Sequence, residues 1–166
     1  QAVFPTVMNW SARKKLVYQQ QEWGQKDVEF RKFIDVPEKF GDADFSIAMA
    51  VSKDYKQDVE KTMNAHKGWN LLKPSDVIST ANDYKNFIAS SSAEFSVAKE
   101  AYVKSNSGWF SCRSACYLAA GKPVVSTPFW EDIMAFGETI EIADDYPSFS
   151  EAITRAIVSD SAVKME

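Results

Sequence analysis

The stretch GWFSCRSACYLAAGKPVV, residues 108–125, decides the fold predicted for this chain. Ser111 is a favourable N-cap for a helix. Gly121 and Pro123 follow in the order typical of a helix C-terminus. The two valines at 124–125 then begin an apolar run that fits a buried strand. The stretch therefore predicts a turn, a helix and a strand in succession.

Short apolar runs alternate with segments of helical period on both sides of this stretch. FSIAMAV, residues 45–51, is a continuous apolar run of the kind required by a strand covered on both faces. Thr80 and Asp83 have the spacing of a capping box and predict the start of a helix. Further strands are predicted at 69–72, 94–98 and 139–143, and further helices at 52–68, 129–136 and from 148 onward. This alternation predicts an α/β fold, a Rossmann-like doubly wound parallel sheet of about five strands.

The N-terminal residues differ from the rest in composition. Residues 1–40 are rich in Gln, Lys, Trp and Phe and contain one short helical pattern over about 26–34. We interpret them as an N-terminal arm that precedes a nucleotide-sugar-binding domain over 41–166. Trp10 and Trp23 are expected to pack against a partner surface, either a second domain or a second copy of the chain.

Composition and charge exclude several classes of function. The formal net charge is −4 and the basic residues form no stripe, so nucleic-acid binding is not expected. No apolar run approaches the roughly 18 residues of a membrane span, and the N-terminus is the reverse of a secretory signal. Cys112 and Cys116 have no further metal ligands nearby, and His66 is the sole histidine. We therefore expect a cytoplasmic protein with no metal site and no cofactor.

The loop KEAYVKSNSGWFS, residues 99–111, has the composition of an anion site. It lies after a predicted strand, where parallel sheets bind ligands, and it contains Ser107, Gly108 and Ser111 directly before a helix. Its small residues suit hydrogen bonding to a phosphate, and Lys99 or Arg113 would offset the negative charge. The same residues are equally typical of a polar turn that caps a helix, so both interpretations stay open.

The order of a small-residue turn, a helix and AAGKPVV resembles the signature of retaining GT-B glycosyltransferases. EFSVAKEAYVKSNSGWFSCRSACYLAAGKPVV, together with GQKDVEFRKFIDVP and GWNLLKP, is similar to the C-terminal half of bacterial enzymes of this fold. The resemblance spans residues 6–159 and covers nearly the whole chain. It implies a domain that binds a nucleoside-diphosphate sugar for glycosyl transfer.

The resemblance also implies which residues contact the donor. Its phosphates would lie near Ser107, Gly108, Ser111 and Arg113, and Lys53 would supply a further positive charge after the strand at 45–51. Two glutamates of the superfamily that bind the sugar and the ribose correspond here to Gly108 and Cys116, and neither is acidic. GT-B enzymes complete their active site with an N-terminal acceptor domain, so no turnover is expected from these residues alone.

Two further alternatives stay open. Trp109 is a candidate for stacking on the nucleobase and equally a candidate core anchor. The whole chain is also compatible with a non-enzymatic module, either a degenerate transferase or a flavodoxin-like domain, that serves protein association.

Overall fold

The computed structural model describes residues 1–126, the backbone of residues 140–142, and residues 151, 154 and 155. The strands β1 to β8 are, in chain order, Ala2–Asn9, Leu16–Tyr18, Gln21–Trp23, Ala43–Ala50, Trp69–Leu72, Glu94–Ser96, Val124–Ser126 and Ile140–Ile142. The helices α1 to α7 are Lys26–Phe30, Val36–Lys39, Lys56–Asn64, Pro74–Val77, Ala81–Ala89, Glu100–Lys104 and Cys112–Ala119. Two short 3-10 helices are Arg31–Phe33 and Lys53–Tyr55.

The described strands form two parallel sheets and one hairpin. One sheet has the strand order β1-β4-β5, the other has the order β6-β7-β8, and β2 pairs with β3 in an antiparallel hairpin. The predicted α/β class with parallel strands is confirmed. The prediction of one sheet of about five strands is wrong for the described residues, which form two three-stranded sheets instead.

The N-terminal residues are not an arm. β1 pairs in register with β4 along its whole length, from Ala2 opposite Ala43 to Asn9 opposite Ala50. The sequence analysis missed this strand because Pro5 interrupts its apolar run, and proline is ordinarily confined to strand edges. β1 accommodates the proline because only one of its two sides carries a regular backbone ladder.

The backbone nitrogen and carbonyl of Pro5 are directed toward β6. In a strand, successive residues direct their backbone groups to opposite sides. Val3 shows the direction: its amide donates to Ser92 Oγ at 3.0 Å, and its carbonyl accepts from the Ser92 amide at 2.9 Å. Two residues on, Pro5 has no amide to donate toward β6. The backbone contact between the two sheets is therefore limited to the beginning of β1.

Side chains of α7 connect the two sheets beyond that point. The Tyr117 hydroxyl donates to the Pro5 carbonyl at 3.3 Å, and the Arg113 guanidinium donates to the Val7 carbonyl. Arg113 also donates to Ser96 Oγ in β6 at 2.6 Å. Because Ser92 lies beside Val3 and Ser96 near Val7, β6 runs in the same direction as β1.

An aromatic cluster on one face unites the sheets into one core. Phe4, Phe45 and Trp69 occupy matching positions on β1, β4 and β5, and the Phe4 and Phe45 rings stack at 5.2 Å. Phe30 of α1 packs against Trp69 at 5.0 Å, and Phe95 of β6 packs against Trp69 at 5.3 Å. These rings bury a large apolar area, which supplies the main driving force for folding.

Several local predictions are confirmed. Thr80 and Asp83 form the predicted capping box at the start of α5, with hydrogen bonds of 2.8 and 3.1 Å. Ser111 is the N-cap of α7 and accepts from the Arg113 amide at 3.2 Å. The helices predicted at 129–136 and from 148 onward lie largely or wholly outside the described residues.

The prediction that Trp10 packs against a partner surface is wrong. It is fully buried, its ring packs edge-on against Phe30 at 5.7 Å, and its indole nitrogen donates to Asp58 Oδ2 at 2.8 Å. Trp23 is half-buried at the end of β3. Trp10 therefore belongs to the core of this domain, because it directly follows β1 and its amide donates to the Ala50 carbonyl at the end of β4 at 3.2 Å.

We predict that Tyr117→Phe lowers the free energy of unfolding by about 1 kcal/mol, because the Pro5 carbonyl loses its hydrogen bond in a buried position. Urea denaturation followed by circular dichroism measures the change. Tyr102→Phe is the matched control, since the described residues offer the Tyr102 hydroxyl no hydrogen-bond partner, and its stability should be unchanged. Equal stability of Tyr117→Phe and the wild type would contradict the role given to this hydroxyl.

Candidate functional site

A cleft of about 300 Å³ opens at the carboxyl ends of β1 and β4. The strands contribute Val7, Met8, Asn9, Ala48 and Ala50, and the segments that follow contribute Ala12, Gln25, Lys26, Pro74, Lys99 and Arg113. Small residues at the end of β4 leave room for a ligand, and the polar groups come from three different helices and their caps. A few polar groups around a small apolar cleft are typical of a ligand site.

The cleft carries positive charge in a chain that is acidic overall. Lys26, Lys99 and Arg113 are its charged lining residues, and none of the described residues that line it is acidic. The formal net charge of the chain is −4. The cleft is therefore suited to an anion, because its basic groups are concentrated where the rest of the surface is not basic.

The Arg113 guanidinium makes most of its hydrogen bonds to other protein groups. Its guanidinium donates to the Glu94 carboxylate, to the Val7 carbonyl and to Ser96 Oγ. Glu94 is fully buried, and the Arg113 side chain is 13% exposed. Three of the five guanidinium N–H groups are used, and the buried carboxylate balances the charge. Arg113 lines the cleft as predicted, but its main role is to join β1 to β6.

Lys99 is the cation of the predicted loop that lies at the cleft without a carboxylate partner among the described residues. It is the N-cap residue of α6, and its ammonium lies 5.3 Å from the Tyr102 ring centre. The Trp109 ring packs against the Tyr102 ring, with 4.8 Å between the two ring centres, and Trp109 is 37% exposed. Trp109 does not line the cleft; it extends an aromatic surface outward from Lys99.

The amides at the start of α6 are already used. The Glu100 amide donates to the Gln25 carbonyl at 3.3 Å, and the Ala101 amide donates to the Gly24 carbonyl at 3.1 Å. These bonds fasten α6 to the segment before α1. The first part of the predicted loop therefore contributes the Lys99 side chain to the cleft rather than a cradle of backbone amides.

The remaining predicted residues lie around the cleft rather than on it. Ser107 is exposed and donates its amide to the Tyr102 carbonyl at 3.2 Å, and Gly108 has a positive φ of 63° that ends the turn. Ser111 is buried as the cap of α7. Lys53 is exposed in the 3-10 helix after β4 and does not line the cleft.

Lys26 is a lining residue that the sequence analysis missed. It is the first residue of α1, and its ammonium has no hydrogen-bond or ion-pair partner among the described residues. The pKa of Lys26 is lowered to about 7, mainly by burial and also by the neighbouring positive charges of Arg113 and Lys99, while the Glu94 carboxylate acts in the opposite direction. Had β1 been recognised despite Pro5, the segment after it would have been identified as part of the carboxyl edge.

The other candidate groups show no catalytic or metal-binding arrangement. Cys112 and Cys116 are both exposed on α7, because the buried face of this helix carries Ser114 and Tyr117. The sequence pattern had favoured buried or half-buried thiols, which is wrong. His66 lies 3.3 Å from Glu38. Within the described part of the chain, no group of three or more metal-ligating side chains is found. Nor does any helix in that part have the length and apolarity to cross a bilayer.

Comparison of the chain with known protein families, with curated proteins and with solved structures finds no match in any of the three. The function is therefore proposed from the geometry and charge of the cleft.

We predict that Arg113→Ala lowers the free energy of unfolding by about 3–5 kcal/mol, because it leaves the Glu94 carboxylate buried without a counter-charge. Chemical denaturation measures the loss. Arg13→Ala is the control, since Arg13 is exposed and has no described partner, and it should change stability by less than about 0.5 kcal/mol. Replacing both members of the pair, as Arg113→Met with Glu94→Leu, should recover much of the loss. A small effect of Arg113→Ala would show that the guanidinium does not hold the two sheets together.

Proposed function

We propose that this chain is the donor-binding half of a GT-B-type glycosyltransferase and binds a nucleoside-diphosphate sugar in the cleft at the ends of β1 and β4. The observation that carries the proposal is the convergence of Lys26, Lys99 and Arg113 in one cleft of an acidic chain. A diphosphate carries two or more negative charges, and its recognition needs several positive groups within a small volume.

The arrangement of the strands supports a doubly wound, Rossmann-like domain. With β6 beside β1 and parallel to it, the strands follow the order β5-β4-β1-β6-β7-β8. Numbered along the chain without the hairpin, this is the order 3-2-1-4-5-6 of dinucleotide-binding folds. In such folds the ligand binds where the strand order reverses, which is between β1 and β6 here. The cleft lies next to that point: it opens at the ends of β1 and β4, and Lys99, from the segment after β6, also lines it.

The size of the cleft fits part of such a ligand. A volume of about 300 Å³ is at the lower end of the range for small-molecule sites. The cleft therefore holds the diphosphate and an adjoining group, while the remainder extends over neighbouring surface. Trp109 is exposed and packs against Tyr102, whose ring lies beside the Lys99 ammonium, so the nucleobase is proposed to stack there.

The described residues of the cleft contain basic and neutral groups but no carboxylate that would act as a general acid or base. We propose that this chain binds the donor and that turnover requires acceptor-side residues from a second domain or a partner. Stabilisation of the leaving diphosphate would then come from Lys99 and Lys26 instead of a metal ion.

We predict that UDP, GDP, TDP or ADP sugars raise the melting temperature of the chain, because a ligand that binds the folded state alone stabilises it. A hundredfold excess over the dissociation constant corresponds to about 2.7 kcal/mol. Lys99→Ala should weaken binding at least tenfold, and Lys53→Ala, away from the cleft, should not change it. If no nucleotide sugar shifts the melting temperature at millimolar concentration, the proposal fails.

A second candidate function, protein association, is favoured by the β2–β3 hairpin. Leu16, Val17 and Tyr18 form one of its strands and are 63%, 65% and 59% exposed. Three consecutive exposed apolar residues on an unpaired strand edge are a typical contact for another chain. We propose that the hairpin pairs with a second copy of the chain, and this function is compatible with ligand binding in the cleft.

We predict that Val17→Lys dissociates this homodimer, because charges on an edge strand oppose strand pairing. Sedimentation velocity over a range of protein concentrations measures the change. Leu71→Lys is the control, since Leu71 is 45% exposed on β5, away from the hairpin. A wild-type chain that stays monomeric at the highest concentration would rule out self-association through this surface.

A further inference from the structure

The position of Lys26 at the cleft is unfavourable for a lysine. Its side chain is half-buried, and its ammonium has no acceptor among the described residues. It begins α1, where a positive charge opposes the helix dipole. A buried cation without a partner loses hydration free energy and gains nothing in return. The neighbouring Gln25 is also buried at the cleft, and its Oε1 has no partner among the described residues.

The charged groups around Lys26 do not neutralise its ammonium. Arg113 from α7 and Lys99 from the start of α6 are both positive, and the carboxylate that acts on Lys26 is Glu94 of β6. Glu94 already makes a salt bridge with Arg113. The cleft therefore has a surplus of positive charge that an anionic ligand, and no described protein group, would neutralise.

We propose that Lys26 is the residue through which the cleft selects phosphate groups carrying two negative charges, and that the ligand binds together with one proton taken up by Lys26. This inference rests on the anion binding proposed above and adds to it a specific contact and a charge requirement. A monoanion would not compensate for protonation of Lys26 beside two other cations, whereas a diphosphate would.

The pH dependence of binding follows from the lowered pKa of Lys26, which is about 7 in the protein alone. A bound dianion favours the charged amine and raises this pKa. Above pH 7 the free protein has mostly neutral Lys26, so binding takes up close to one proton. Affinity should then fall with rising pH by up to about tenfold per pH unit, until the pH reaches the pKa in the complex.

Titration calorimetry on the unmodified chain tests the proton directly. UDP and inorganic pyrophosphate are titrated at pH 8 in buffers of different ionisation enthalpy, and the dependence of the heat on the buffer gives the number of protons taken up. The affinity for UDP is also measured from pH 7.5 to pH 9, where its terminal phosphate is already ionised. We expect close to one proton per ligand and a marked loss of affinity with pH. Binding without proton uptake would overturn the inference and leave the proposed function standing.

Two variants separate recognition from structure. Lys26→Arg keeps the charge at every pH and should bind with little pH dependence. Lys26→Met should bind UDP at least tenfold more weakly, yet it should unfold at an equal or higher temperature than the wild type, because it removes a buried cation without a partner. Lys85→Met, an exposed lysine away from the cleft, is the control. Loss of stability in Lys26→Met would show that the lysine has a structural role.

The two ligands distinguish the possible failures. Binding of pyrophosphate with proton uptake, but not of any nucleotide sugar, would support Lys26 as a phosphate contact and contradict the proposed donor. Failure of both ligands to bind would overturn the inference and the proposed function together.

Discussion

The guanidinium of Arg113 is the contact on which both the fold and the cleft depend. It spans the line where β1 and β6 lie side by side without a regular backbone ladder, and it donates to groups on both strands. The proline in β1 removes an amide that a ladder at this line would use. Tyr117, one helical turn later on α7, occupies the next position along the same line. The two sheets are thus joined by side chains of one helix.

The cleft is a consequence of this junction. The carboxyl end of β4 has small residues, and α1, the N-cap of α6 and α7 each bring one basic side chain to the same opening. Arg113 is neutralised by Glu94, which leaves Lys26 and Lys99 as the cations not balanced by a described carboxylate. Positive charge is tolerated here because the aromatic core and the capped helices stabilise the domain independently. Unfavourable local interactions at a candidate ligand site are compatible with a stable domain when the rest of the protein is well packed.

Local features of the sequence predicted local features of the structure correctly. The apolar run at 45–51, the strand at 69–72, the capping box of α5 and the N-cap of α7 were all recognised from a few adjacent residues. Such signals depend on the backbone and on side chains within one turn, so they can be recognised without knowledge of the fold. Lys99 and Arg113 were placed at the cleft for a related reason, since both directly border a turn after a predicted strand.

The sequence by itself therefore determined the α/β class and most of the helices and strands from 43 onward, and it singled out Lys99 and Arg113, which line the cleft. Only the tertiary structure decided that Ala2–Asn9 is a central strand, that Arg113 serves the junction of two sheets, and that Lys26 lies in the cleft. The reason is physical: a proline is acceptable in a strand when another element replaces the missing backbone contact. Whether Arg113 and Tyr117 do so depends on residues about a hundred positions away in the chain.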